Sequence, residues 1–360
     1  MEGVSSPESA SSTNRAISPD SGTGWAQEGA WAVAPGVYRI PLPLPGDGLI
    51  AINVYVIETD DGLTLIDGGW SIAAARNVLE RSLASIEYRF SDIRTFLVTH
   101  VHRDHYTQAR LLGTEFGAAV ALGIGERPTL DLIQSRPAGA GANARVLREC
   151  GAGELAAAWE RQAPGISDLA EWLPPDTWLE DDHAITVGQR QLQAVSTPGH
   201  TQGHYVFTDE SAGLLFAGDH VLPTITPSIG FEGTVPEQPL GDFLASLVKV
   251  QQLPDLQILP AHGPVGMSSH ARVAELLAHH DHRLDLCRAA LASGEQTTFE
   301  VADQLPWTRR ERALNSMDEF NAGLAVLETR VHLRLLVQRG EVTVRRSDGV
   351  DVYSLAHPSG

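Results

Sequence analysis

The sequence predicts a mixed α/β protein (α+β) with stacked β-sheets and a further module at the C-terminus. Three observations predict it. Between residues 32 and 259, short runs of strand periodicity alternate with segments of helical periodicity. Histidines and aspartates fall just after several of those runs, where stacked sheets would gather them at one edge. From residue 271 onward the pattern changes to helices followed by a terminal hairpin.

The elements follow in order. Residues 1–25 are rich in Ser, Gly and Pro and have no apolar stretch, so they read as a disordered leader rather than a secretory signal. Residues 32–40 and 49–58 alternate apolar and polar side chains, as half-buried strands do. Asp60-Asp61-Gly62 is a turn, and 63–66 returns as a strand that stops at Asp67-Gly68-Gly69. Residues 72–86 place Ala75, Val78, Leu79 and Leu83 at helical spacing. Residues 95–99 form a continuous apolar run, suited to a strand buried on both faces. Helix is expected over 107–116 and strand over 120–122. Residues 126–182 break the rhythm as helical pieces, including 154–162, that read as a lid or pocket wall; Trp159, Trp172 and Trp178 are expected to pack them down. Strands resume at 184–187, 192–196, 204–208 and 214–217. The four prolines of 221–240 predict a loop, 243–252 a helix and 256–259 a strand. Residues 26–270 are therefore read as the catalytic domain and 271–360 as a winged-helix-like domain. Its helices are 271–292, 299–305 and 323–339, and its hairpin turns at Ser347-Asp348-Gly349.

Composition narrows the function classes. The chain carries a formal net charge of −19. Residues 271–360 hold 11 Arg against 13 Asp and Glu, so residues 1–270 carry 15 basic and 32 acidic side chains. A portion that acidic disfavours nucleic acid as a partner, since binding it normally exchanges a basic face for counterions. No run of 18 apolar residues occurs, so no membrane span is expected. Cys150 and Cys287 form no disulfide framework and no metal spacing, and a reducing cytoplasm is the expected location. Lys249 is the sole lysine and lies in an amphipathic segment, so it reads as solvated surface.

The chemistry sits in Thr99-His100-Val101-His102-Arg103-Asp104-His105, with His200, Asp219 and His262 following. Imidazole and carboxylate are the ligands that zinc and similar borderline ions take, and seven suit two ions sharing a ligand. His100 and His102, two apart in an extended segment, point to one side. We assign His100, His102 and His200 to one ion, Asp104, His105 and His262 to a second, and Asp219 to a bridge. Two divalent ions, expected to be Zn2+ with Fe or Mn as alternatives, would share a water and make it hydroxide near neutral pH. With both carboxylates and that hydroxide the site is left near +1, suited to a developing oxyanion. Asp104 is the candidate catalytic residue, binding one ion and orienting the water. His204 and Tyr106 are assigned to substrate contact, His204 alternatively to holding a ligand in place, and Arg103 borders the ligands. His220, His279, His280 and His282 read as packing or solvated, and His183 and His270 carry no functional reading.

These residues resemble the metallo-β-lactamase superfamily of binuclear metallohydrolases. Thr99 to His105 looks like its signature, and His200, Asp219 and His262 match its later ligands. Asp67 matches an aspartate whose role in the family is structural. The resemblance covers about 26–270 and implies a four-layer αβ/βα sandwich with the metals at one edge. Gly218-Asp219-His220-Val221-Leu222-Pro223, Thr226-Pro227 and the C-terminal module are similar to the lactamase-β-2-like branch, which carries an appended winged helix. Tyr106-Thr107-Gln108 stands where the family commonly has glycines.

The expectation is a hydrolase cleaving an ester-like bond, a thioester or lactone, of a small molecule. The alternative is an endoribonuclease or phosphodiesterase using Arg309, Arg310, Arg312, Arg345 and Arg346. A DNA-binding regulator is disfavoured by the net −2 of 271–360. The winged helix is expected to shape the entrance to the site or to make a homodimer.

Overall fold

The computed structural model describes residues 23–46, 48–135, 141–162, 168–234, 236–308 and 311–356. Most of the expected leader, and Arg309 and Arg310, lie outside the described residues.

The first sheet has seven strands in sequential order. They are β1 (Trp31–Ala34), β2 (Val37–Pro43), β3 (Ala51–Thr59), β4 (Gly62–Ile66), β5 (Ile93–Leu97), β6 (Ala119–Gly123) and β7 (Thr177–Leu179). Pairing is antiparallel from β1 to β4 and parallel from β4 to β7. The stretch read as one strand over 32–40 is a tight hairpin, because Gly36 at φ +67 reverses the chain after Pro35. Helix α1 (Ala73–Ser85) crosses from β4 to β5, and α2 (Arg103–Phe116) from β5 to β6.

The lid-like stretch holds α3 (Arg127–Ser135), α4 (Gly141–Glu149) and α5 (Gly153–Gln162). It also contributes β7, a strand missed in the sequence because only three residues pair. The second sheet is β8 (His183–Val187), β9 (Arg190–Ser196), β10 (Tyr205–Asp209), β11 (Leu214–Gly218) and β12 (Gln257–Pro260). The chain from β11 returns through α6 (Pro239–Gln251) to β12, which pairs parallel to β11.

Strand parity makes the layers. On β3, Ile52, Val54 and Val56 face a core shared with α1 and α2, while Tyr55 and Ile57 face a core shared with the second sheet. The inter-sheet core includes Leu97, Leu192, Tyr205, Phe207, Phe216 and Leu259. Burying each such side chain contributes about 1.5–3 kcal/mol. The outer face of the second sheet packs Val195, Val206 and Leu215 beneath α6. The order is thus helices, sheet, sheet, helices.

The C-terminal region comprises α7 (Ser269–Leu291), β13 (Gln296–Thr297), α8 (Thr298–Gln304), α9 (Glu319–Gln338), β14 (Val342–Ser347) and β15 (Val350–Leu355). β13 joins the terminal hairpin in a three-stranded sheet of order β13-β15-β14. Its core is continuous with that of the second sheet: Val326, Leu333 and Leu336 of α9 share one cluster with Leu215, Phe243 and Leu247. Helix α9 has 12 buried residues, so the third helix of the expected winged-helix-like domain spends its apolar face on the rest of the chain. No helix among the described residues is long and apolar enough to cross a membrane.

Candidate metal centre

Four strand ends deliver the ligands. His100 and His102 follow β5, His200 follows β9, Asp219 follows β11 and His262 follows β12. Helix α2 begins at Arg103, four residues earlier than its periodicity suggests, and therefore holds Asp104 and His105 in its first turn. The apolar count starts late because the first turn is used for ligands.

The seven side chains meet in two adjoining groups. In one, His100 Nε2 lies 2.9 Å from His102 Nδ1, and His200 Nε2 lies 3.1 Å from the same atom. In the other, Asp104 Oδ2 stands 3.6 Å from His105 Nε2 and 3.4 Å from His262 Nε2. Asp219 joins them. Its Oδ2 is 3.5 Å from His200 Nε2, and its Oδ1 is 3.6 Å from His105 Nε2 and 3.4 Å from His262 Nε2. Each group could hold a metal ion. Three buried atoms aimed into the second group, His105 Nε2, His262 Nε2 and Asp219 Oδ1, have no hydrogen-bond partner. Leaving such atoms unpaired costs about 1–3 kcal/mol each, and a cation would satisfy all three. The donor set fits a divalent ion.

The outer nitrogens explain why the inner ones are bare. His200 donates Nδ1–H to Ser228 O at 2.8 Å, and His262 donates Nδ1–H to Ala51 O at 2.8 Å. His105 donates Nδ1–H to Asp67 Oδ2 at 2.9 Å. Asp67 also accepts from the backbone and hydroxyl of Thr99, whose Oγ1 lies 3.1 Å from His100 Nδ1. One buried carboxylate thus orients a ring in each group. Asp67 does so at φ +63, a conformation that costs a non-glycine residue and is held by its surroundings. Gly68 lets the loop lie on α2, since a Cβ there would overlap Ala109. Thr107 Oγ1 accepts from Ser71 N and Gln108 Nε2 donates to Gly68 O, so the residues replacing the family's glycines fasten this loop to the helix.

Electrostatics separates the groups. Burial pushes His100 well below its ordinary value and His102 down to about 3, with neighbouring imidazoles adding to the effect. Burial also opposes charge on His105, but Asp67, Asp104 and Asp219 outweigh it and lift the ring to about 10. Burial disfavours the charged form of Asp104 and Asp219 as well, yet the imidazoles around them hold both below the usual carboxylate range.

His204 and Tyr106 lie elsewhere than expected of substrate contacts. Both are fully buried. His204 Nδ1 pairs with Thr197 Oγ1 and its Nε2 accepts from the Asp219 backbone at 3.2 Å, so it positions Asp219. The Tyr106 hydroxyl donates to Leu173 O at 2.5 Å, under the stretch that precedes β7. His220 packs edge-on to Phe243. Arg103 is exposed, with its guanidinium 4.2 Å above Trp70. A third set, His279, His280 and Glu328, brings donor atoms within 4.8 Å of one another. The Arg283 guanidinium bears on both His280 and Glu328 and opposes a divalent ion there. Sequence reading passed over Ser228, which acts through its carbonyl, and Thr197 and Glu126, which act through their side chains; the glycines flanking Ile124 were the one available signal for Glu126.

Comparison with known proteins identifies the family. The family model of the metallo-beta-lactamase superfamily matches residues 47–262. The chain belongs to the metallo-beta-lactamase superfamily. A member from Thermus thermophilus, a metallo-beta-lactamase family protein of solved structure, is 30% identical with a TM-score of 0.74. It covers 90% of this chain and 100% of its own, so the likeness extends beyond the family match. The probable metallo-hydrolase YqjP of Bacillus subtilis is 25% identical over 81% of this chain and 91% of its own length. The atrochrysone carboxyl ACP thioesterase AgnL7 of Paecilomyces divaricatus is 24% identical over 84% of this chain and 79% of its own. As a member of this superfamily the chain is a metallo-hydrolase.

Proposed function

We propose that this metallo-hydrolase works with two divalent ions, most simply Zn2+, and cleaves a thioester or lactone bond of a small molecule. The observation that carries the reading is Asp219, which presents one oxygen to each ligand group. When bound, the ions supply Lewis acidity and an activated water. His100, His102 and His200 would hold one, and Asp104, His105 and His262 the other. The chain's own part is positional. Asp67 and the carbonyls of Ser228 and Ala51 hold the rings, and the partly exposed Asp104 carboxylate borders the mouth, where it can take the proton of an entering water.

His102 is the partly exposed histidine ligand, and the Phe231 ring lies 6.4 Å from it. Trp159 and Phe320 continue that aromatic surface, with Phe320 47% exposed. An apolar acyl portion would lie against it. The likeness to a thioesterase supports the same class.

The phosphodiesterase alternative has less support. Arg345 is paired with Glu295, Arg346 with Glu149 and Asp351, and Arg312 donates to Ser316 O. Among the described residues, the arginines that would meet a polyanion are thus paired within the chain. The C-terminal helices and three-stranded sheet are read as a winged helix that walls the site, in a cytoplasmic enzyme. A panel of acyl thioesters, lactones and single-stranded RNA tests the proposal. Thiol or acid release that disappears in Asp104→Ala is expected. Metal-dependent RNA cleavage with no acyl hydrolysis would reverse the order of the two readings.

A further inference from the structure

Behind the ligands, two segments that carry imidazoles run against the end of β6. Glu126, which follows β6, is completely buried. Its Oε1 accepts from the Thr201 hydroxyl at 2.5 Å. The backbone N–H groups of Val101 and Gly203 face this carboxyl closely enough to favour its charged form against burial, while Oε2 has no hydrogen-bond partner of its own. Val101 stands between His100 and His102, Thr201 directly follows His200, and Gly203 precedes His204. One carboxyl therefore joins the segment of two ligands to the segment of a third.

The joint is built to be close. A Cβ on Gly123 would overlap Gly203 O, one on Gly125 would overlap Gln202 O, and one on Gly203 would overlap Glu126 itself. Three glycines at one seam let the backbones approach until a single side chain reaches both. A second buried carboxyl supports the same segment from the far side: Glu232 Oε1 accepts from Gln202 N at 3.3 Å and from Thr129 Oγ1 at 3.3 Å. His100 also relies on Thr99 and His200 on Ser228, and a backbone bond from Tyr205 N to Thr99 O at 2.8 Å ties the two segments further along. Among the side-chain anchors named here, the Glu126 carboxyl is the one that bears on both segments.

We propose that Glu126 is a positioning residue for the His100, His102 and His200 group, setting the spacing of the three imidazoles and with it the affinity for a divalent ion. This rests on the reading of that group as an ion site. Removal of outer partners of this kind typically lowers metal affinity about 10–100-fold.

The test measures Zn2+ binding by the full-length protein against a competing chelator, with Co2+ absorption as an independent report on ligand geometry. Wild type is expected to bind ions in two classes. Glu126→Ala should weaken one class about 10–100-fold and leave the other near wild type. Glu126→Gln keeps an acceptor oxygen and should restore affinity and spectrum, which a requirement for bulk or charge alone would not predict. If the alanine variant does not fold, Thr201→Val decides: it removes the hydroxyl that donates to Glu126 and should weaken the same class severalfold. A folded Glu126→Ala, or failing that Thr201→Val, with both classes and the Co2+ spectrum unchanged overturns the proposal. Wild type that binds no ion would instead remove the metal reading on which it stands.

Discussion

Two clusters of buried histidines occupy this molecule, and they differ in where their nitrogens point. Between α7 and α9, His332 donates Nδ1–H to Glu328 O at 2.7 Å and its Nε2 lies 3.1 Å from His280 Nδ1, the rings stacked at 5.3 Å. The chain of bonds runs outward and ends on a backbone carbonyl. In the metal centre the outer nitrogens are anchored in the same way, but the inner ones converge on one another and on two carboxylates. His100 Nε2 and His102 Nδ1 lie 2.9 Å apart, and His105 Nε2, His262 Nε2 and Asp219 Oδ1 have no hydrogen-bond partner, which a cation would supply. Both places gather imidazoles, five in one and the His280–His332 pair in the other. Convergence from separate strand ends, with carboxylates to balance charge, makes one of them a site.

That contrast can be broken at its centre. Asp219→Ala removes the carboxylate common to both groups, and kcat/KM for any hydrolysed substrate should fall on the order of 10³-fold or more. Loss of less than tenfold would mean that the groups do not act together. Asp67→Ala acts from outside the ligand set. It frees His105 and Thr99, so affinity for the ion held with His105 should drop about 10–100-fold, read by chelator competition. Equal weakening at both positions would show that the Thr99 relay to His100 matters as much as the direct bond. Phe231→Ala tests the rim: KM for substrates with apolar acyl groups should rise about fivefold at nearly constant kcat, and kinetics across chain lengths would show whether the effect grows with apolar area.

The smallest effect concerns the packed pair. Burial pushes His332 down to about 3, so its neutral form belongs to the folded state. The contribution is full above the unfolded value near 6.5 and is lost as pH falls towards 3, because the unfolded ring binds the proton first. Urea unfolding of the metal-free protein should therefore lose about 1–2 kcal/mol more between pH 7 and pH 5 in wild type than in His332→Gln. Parallel curves would place the pH sensitivity in other groups.

The candidate ligand set was legible because each member is an unusual residue at a strand end or in the helix turn that follows one, and the strands announced themselves through alternation or unbroken apolar runs. Less legible features depend on backbone. The hairpin at Pro35-Gly36 interrupts an otherwise continuous pattern, and β7 is too short to show a period. His204 and Tyr106 look like site residues because they neighbour ligands in sequence, yet the local turn sends both inward. Glu126 is invisible for the opposite reason: a lone glutamate before a helix reads as solvent-facing, and only the tertiary approach of residues 201–203 buries it. The C-terminal helices were readable as elements, whereas their packing on α5 and α6 depends on which faces meet.

The seating of Trp159 on Gly323 has a practical outcome. The indole lies where any side chain at 323 would stand, and its Nε1–H donates to Glu319 O. Trimming the protein back to its two large sheets would strip this contact and leave a long greasy flank on α4, α5 and α6 open to water. Such a fragment should precipitate or recruit chaperones rather than survive as a minimal enzyme. Anyone seeking a smaller catalyst here would have to redesign that flank before shortening the chain.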